Sequence, residues 1–140
     1  MAKDATKIFG GEAKQIEIST SSSFASSNIL GYASPETELN WEPVKSDTLS
    51  GQQAQTRGLG TFKAILQQTD STTLGYLKTA RTAEHYVRVT DYNNQQYSTQ
   101  VPMLLSYKPV RKFNGQDVHM IEVTGQITTQ EPDDFCNFPA

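Results

Sequence analysis

At 140 residues, 36% of them hydrophobic, the chain has the length of one domain and too little for two stable ones. A net charge of −3 argues against a general nucleic-acid binder, and six Phe, six Tyr and one Trp argue against wholesale disorder. Cys136 stands alone, which leaves no intrachain disulfide and no cysteine-based zinc cluster within this sequence.

Residues 1–10 lack the apolar stretch of a signal peptide. The longest apolar run, at 101–105, falls far short of the ~20 residues of a membrane-spanning helix. The expectation is a soluble protein made in a cytoplasm, with no membrane insertion. Uncharged polar residues are abundant, with 12 Ser, 16 Thr and 12 Gln. Charge is uneven along the chain: all Lys and Arg lie at or before Lys112, whereas 113–140 carries Asp117, Glu122, Glu131, Asp133 and Asp134 with no base. An acidic tail is expected at 128–140, solvated or facing something that must not hold polyanions.

Residues 1–13 read as a polar arm ending near Gly10-Gly11. Gln15-Ile16-Glu17-Ile18-Ser19 alternates with period two, as a half-buried strand does. Residues 20–56 then lose periodicity and read as a long inserted loop or assembly arm, with one strand candidate at 38–41. Phe24, Ile29, Leu30, Tyr32, Leu39, Trp41, Val44 and Leu49 are scattered through it, too many large apolar groups for a flexible linker. They are candidates for packing on a neighbouring subunit, which would make the segment removable without loss of the folded domain.

Strand-like 62–66 leads to an N-cap at Asp70 or Ser71. Leu74, Leu77 and Ala80 then share one face of a short helix at about 71–82. A strand at 86–92, a turn at Asn93-Asn94, a returning strand at 96–99, a strand at 103–107, a hairpin signal at Asn114-Gly115 and a last strand at 118–127 complete the pattern. The fold class is mainly β: an antiparallel β-sandwich or small barrel with one short helix, its core at 60–127, in a single domain.

No residue pattern supports catalysis or a cofactor. His85 and His119 have no metal-ligand spacing and read as an exposed loop histidine and a strand histidine. No Ser lies in G-x-S-x-G. Glu36 and Glu38 share a face of an extended segment, where solvated acids are commoner than a catalytic pair. Gly58-Leu59-Gly60 lacks the Lys-Ser/Thr of a phosphate-binding loop and reads as a turn. Trp41 with Tyr32 is a candidate stacking platform, an interface anchor or a core residue. Lys108, Arg111 and Lys112 form a basic cluster by a hairpin turn that could pair with Glu131, Asp133 and Asp134 of an adjacent chain.

The succession 60–66, then Leu74-Gly75-Tyr76-Leu77-Lys78-Thr79-Ala80-Arg81, then the hairpin 86–99, Leu104-Leu105-Ser106-Tyr107-Lys108-Pro109 and the strand 118–125 resembles the tail tube proteins of long-tailed bacteriophages and related tail-like machines. The resemblance covers about 60–127 and lies in patterning. It implies a β-sandwich that stacks as hexameric rings into a hollow conduit for DNA, located in the virion tail. Its partners would be its own copies, tape-measure or terminator proteins, and DNA passing without specific contact. Asn93-Asn94, where that family usually has a glycine turn, and the acidic extension after Thr128 are departures. They leave a terminator, distal or baseplate component as an alternative. A monomeric β-sandwich module for a glycan or receptor is the reading from a different class.

Overall fold

Alternation of side chains along paired strands sets the layers of the molecule. The computed structural model describes residues 10–32, 36–47, 51, 53–67 and 70–137. Its elements are β1 Ala13–Ser19, β2 Asn28–Tyr32, β3 Glu38–Asp47, β4 Gln53–Leu66, α1 Ser71–Thr82, β5 Tyr86–Asp91, β6 Gln96–Ser98, β7 Leu105–Val110, β8 Met120–Thr129 and α2 Pro132–Phe135. They form two four-stranded antiparallel sheets, ordered β2-β1-β5-β6 and β3-β4-β8-β7. Ile16 and Ile18, Leu30, and Val87 and Val89 of the first sheet share one buried cluster with Phe62, Ala64 and Leu66, Leu105, and Ile121 and Val123 of the second. One core therefore lies between two facing sheets. Among the described residues no strand of one sheet pairs with a strand of the other, so the expected architecture resolves to the sandwich and not the small barrel.

The helix at 71–82 lies where the three-residue spacing placed it. Asp70 is its N-cap, its carboxylate accepting from the Thr73 amide at 2.9 Å. Those hydrogen bonds hold the Asp70 carboxyl below its ordinary pKa. Leu77 and Ala80 are buried, and Thr73 joins them because its hydroxyl donates to the Leu30 carbonyl at 3.2 Å. The helix packs on β2 and β7, one strand from each sheet. Fully burying a side chain such as Leu77 stabilises by about 1.5–3 kcal/mol, which offsets the low helix propensity of exposed Gly75.

Several expectations change. Residues 20–56 are not one loop: they contain β2, β3 and the start of β4, and Phe24 and Leu30 are buried. β3 begins at the strand candidate 38–41, but backbone pairing with β1 and β4 supplied what hydrophobic periodicity did not announce in β2 and in the outer half of β3, which alternate poorly. Gly58 and Gly60 are not a turn but lie within β4. A Cβ at Gly58 would meet the Trp41 ring at 2.1 Å, and one at Gly60 the Phe135 ring at 2.3 Å. Glycine is used there to let two aromatic rings lie on the backbone.

The segment 128–140 is not wholly a solvated tail. β8 runs to Thr129, and the four-residue α2 buries Phe135 in the core. The Phe135 carbonyl accepts from Gln100 at 2.8 Å, and Cys136 bridges to Thr99. His85 is buried, not exposed: it pairs its backbone with Met103, and its Nδ1 lies 2.7 Å from the Ala83 carbonyl. The expected strand at 118–127 runs instead from Met120 to Thr129, and His119 precedes it.

A chain lacking residues 20–56 loses β2, β3 and the two buried side chains. It is expected to show no cooperative urea unfolding transition by circular dichroism, and a transition of wild-type steepness would restore the removable-loop reading.

Candidate functional site

Three places on the described surface combine chemistry with access. The first is a cleft of about 470 Å³ between the start of β3, the ends of β1 and β5, and α2. Trp41, Leu39, Val89 and Phe135 give it apolar walls, while Asp91, Tyr97 and Asn40 supply polar groups. Trp41 is held in place: its Nε1–H donates to Thr129 Oγ1 at 2.9 Å, and that hydroxyl donates on to the Glu131 carbonyl at 2.9 Å.

Asp91 is buried at the end of β5, where its Oδ1 accepts from the Asn93 and Gln95 amides, both at 2.9 Å. This is the side-chain turn that starts the β5–β6 hairpin, with Asn94 in the left-handed region at φ 62°. Burial, followed by the charges of Asp91 and Cys136, raises the Tyr97 phenol above its ordinary range. Burial also pushes the Cys136 thiol up to about 11, so near neutral pH it is protonated and a poor nucleophile.

The second place is the outer face of the β1–β5 pair. Glu17 lies opposite Arg88 in the register, and its Oε2 accepts from Arg88 Nη2 at 2.8 Å and from the Ser27 hydroxyl at 2.8 Å. Gln15 donates to the other oxygen at 3.2 Å. The Arg88 guanidinium lies 4.5 Å from the centroid of the Phe24 ring. Phe24 reaches that position at φ 55°, in the left-handed region that few bulky residues adopt. The Ser-rich loop is thereby folded onto the sheet, its turn made by Ser19 and Ser21 hydroxyls accepting from the Ser21 and Ser23 amides.

The third place is the β7–β8 connection, 111–119. It is longer than a two-residue hairpin, and Asn114-Gly115 forms its tip with Gly115 at φ 74°. Asn114 Oδ1 accepts from the Gln116 and Asp117 amides at 2.9 and 3.0 Å, and Asn114 Nδ2 donates to Asp117 at 2.9 Å. Phe113 stands 86% exposed and meets the His119 ring edge-on at 5.2 Å.

The apolar candidates of 20–56 do not form one surface. Leu30 and Phe24 are buried, Leu39 and Trp41 line the cleft, Ile29 and Tyr32 are exposed on β2, and Val44 is exposed on β3. Leu49 lies outside the described residues. Tyr32 does not join Trp41: it borders a separate groove with Tyr76, and Tyr97 and Phe135 are the aromatic residues that share the Trp41 cleft. Glu36 and Glu38 are exposed at the start of β3, with Glu38 accepting from Asn40 at 3.3 Å. Lys108, Arg111 and Lys112 are exposed at one end of β8, and Glu131, Asp133 and Asp134 at the other. Sequence reading missed the Glu17–Arg88 pair, which is 71 positions apart and becomes adjacent only through the β1–β5 register.

Among the described residues no cluster of His, Cys, Asp or Glu is arranged to hold a metal, and no helix is long and apolar enough to cross a membrane. No protein-family model, curated protein or solved structure matches the chain.

Burial tends to raise the pKa of Glu17, but the Arg88 and Ser27 hydrogen bonds and the Arg88 charge outweigh it, so the carboxyl lies below its ordinary 4.5. A depressed carboxylate contributes stability that is complete above the unfolded-state value and lost as pH falls through the folded-state value. Glu17→Gln is expected to lower the unfolding free energy near neutral pH by about 1.5–3 kcal/mol. That deficit should shrink as pH falls below about 4.5 in urea titrations, and a deficit independent of pH would contradict the charged pairing.

Proposed function

We propose that this chain is a structural subunit that assembles with its own copies, in the form of stacked hexameric rings making the tail tube of a long-tailed bacteriophage. In that role it would lie in the virion tail and conduct DNA without binding it specifically. The patterning of 60–127 is one support; the observation that carries the reading is the β3–β4 ribbon.

β4 pairs with β8 only from Gly58 to Leu66, whereas β3 and β4 remain paired out to Asp47 and Gln53. Beyond the sandwich, a two-stranded ribbon therefore projects with no third strand among the described residues. An isolated two-stranded ribbon is marginal in water, and its outer edges leave backbone donors and acceptors for another chain. A neighbouring copy that covers the ribbon closes those edges. Exposed Ile29, Tyr32, Leu104, Phe113 and Val118 add apolar surface of the kind a subunit interface buries.

A net charge of −3 suits a lumen that must release DNA, because Lys and Arg contacts to phosphate would retain it. Tape-measure and terminator proteins are the further partners of this reading, and a terminator, distal or baseplate component is its nearest variant. A second reading is favoured by the Trp41–Tyr97 cleft: a monomeric module that stacks a glycan on its aromatic walls.

Purified protein is expected to form rings or tubes in negative-stain micrographs and to sediment above monomer mass. A persistent monomer that binds glycan, with affinity lost in Trp41→Ala, would replace the structural reading with the second one.

A further inference from the structure

The basic cluster and the acidic end cannot meet within one chain. Val110 pairs with Met120 at the first residue of β8, and Glu131 follows its last residue, Thr129. At ~3.3 Å per residue the ten-residue strand holds the two ends roughly 30 Å apart. Each end joins an apolar feature to its charge: exposed Phe113 at one, the cleft at the other.

At the first end, exposed Lys108, Arg111 and Lys112 precede Phe113 in the chain, and Phe113 is the most exposed large apolar residue described. Asp117, the acid of that tip, is bonded to Asn114. The Asn114–Asp117 hydrogen bonds hold the tip in one shape, so presenting Phe113 costs little ordering on contact. At the other end, α2 borders the cleft with Pro132 and Phe135 while exposed Asp133, Asp134 and Glu131 flank it. A cavity of about 150 Å³ lined by apolar side chains accepts a benzene ring. The present cleft is about 470 Å³ and has Trp41, Phe135 and Leu39 on its walls.

From these observations we propose that the 111–119 tip of one copy docks head-to-tail on the next copy, with Phe113 seated in the Trp41–Phe135 cleft and Arg111 and Lys112 facing Glu131, Asp133 and Asp134. The contact is heterologous: tip and cleft are different surfaces, so each docked copy leaves one of each free and the addition continues. Repeated around a ring, a single finger per subunit becomes a multivalent stacking contact. The proposal rests on the self-assembly reading and names the surfaces that join successive copies. Apolar anchoring supplies a central contact, and the flanking charges set direction, since tip against tip or cleft against cleft opposes like charges.

The test uses sedimentation velocity and negative-stain microscopy of the full chain, with circular dichroism to check folding. Phe113→Ala should raise the critical concentration for assembly about 30-fold or more. A tip-reversed chain (Arg111→Glu with Lys112→Glu) and an end-reversed chain (Glu131→Lys, Asp133→Lys and Asp134→Lys) should each fail to assemble alone. An equimolar mixture of the two should assemble, because every junction then pairs opposite charges. In an otherwise unaltered chain, a benzophenone side chain at position 113 should photocrosslink to residues 132–137 or Trp41 of a second copy. Wild-type tubes that tolerate Phe113→Ala and both reversals, or crosslinks that fall elsewhere, would overturn the docking while leaving self-assembly standing. A wild type that stays monomeric at every concentration would overturn both.

Discussion

The fold depends on β4 being shared. Over Gly58–Leu66 this strand is hydrogen-bonded on both sides, to β3 and to β8, and its inner face sends Phe62, Ala64 and Leu66 into the core. Its two buried glycines, Gly58 and Gly60, remove the side chains that would otherwise hold Trp41 and Phe135 away from the backbone. Trp41 ties β3 to the end of β8 through Thr129, and Phe135 brings the C-terminal segment back across the sheet. The same strand then runs past β8 into a ribbon that, among the described residues, only β3 pairs. Stability and exposure are thus built from two halves of one strand.

How much of this was legible in the sequence follows from the range of each interaction. The helix was readable because capping by Asp70 and the spacing of Leu77 and Ala80 are local. The β5–β6 hairpin was readable because Asn93-Asn94 lies between well-patterned segments. β2 and the outer half of β3 were not. Val44 and Ile29 are exposed while Leu30 is buried, so no period-two pattern survives, and only pairing with distant strands makes these segments extended. Gly58 and Gly60 misled for a related reason: a glycine needed for ring packing has the same sequence signal as one needed for a turn.

The candidate sites divide in the same way. The basic and acidic clusters were visible as composition, but their placement at opposite ends of β8 needed the strand register. Trp41 was visible as the sole tryptophan, whereas its cleft is assembled from β1, β3, β5, β6 and α2. Glu17 was one acid among fifteen until the register set it against Arg88. On the proposed self-assembling role, the charge and apolar surface placed at the two ends of β8 would join copies in a line.

Amide hydrogen exchange along β3 and β4, compared between dilute protein and the assembled form, distinguishes a ribbon covered by a neighbouring copy from one that stands free. Residues 58–66 of β4 should be protected in both, because β3 and β8 flank them. Residues 44–47 and 53–57 should exchange quickly in dilute monomer and become protected on assembly. Equal protection of the ribbon in monomer and assembly, or continued fast exchange within assembled particles, would contradict the account.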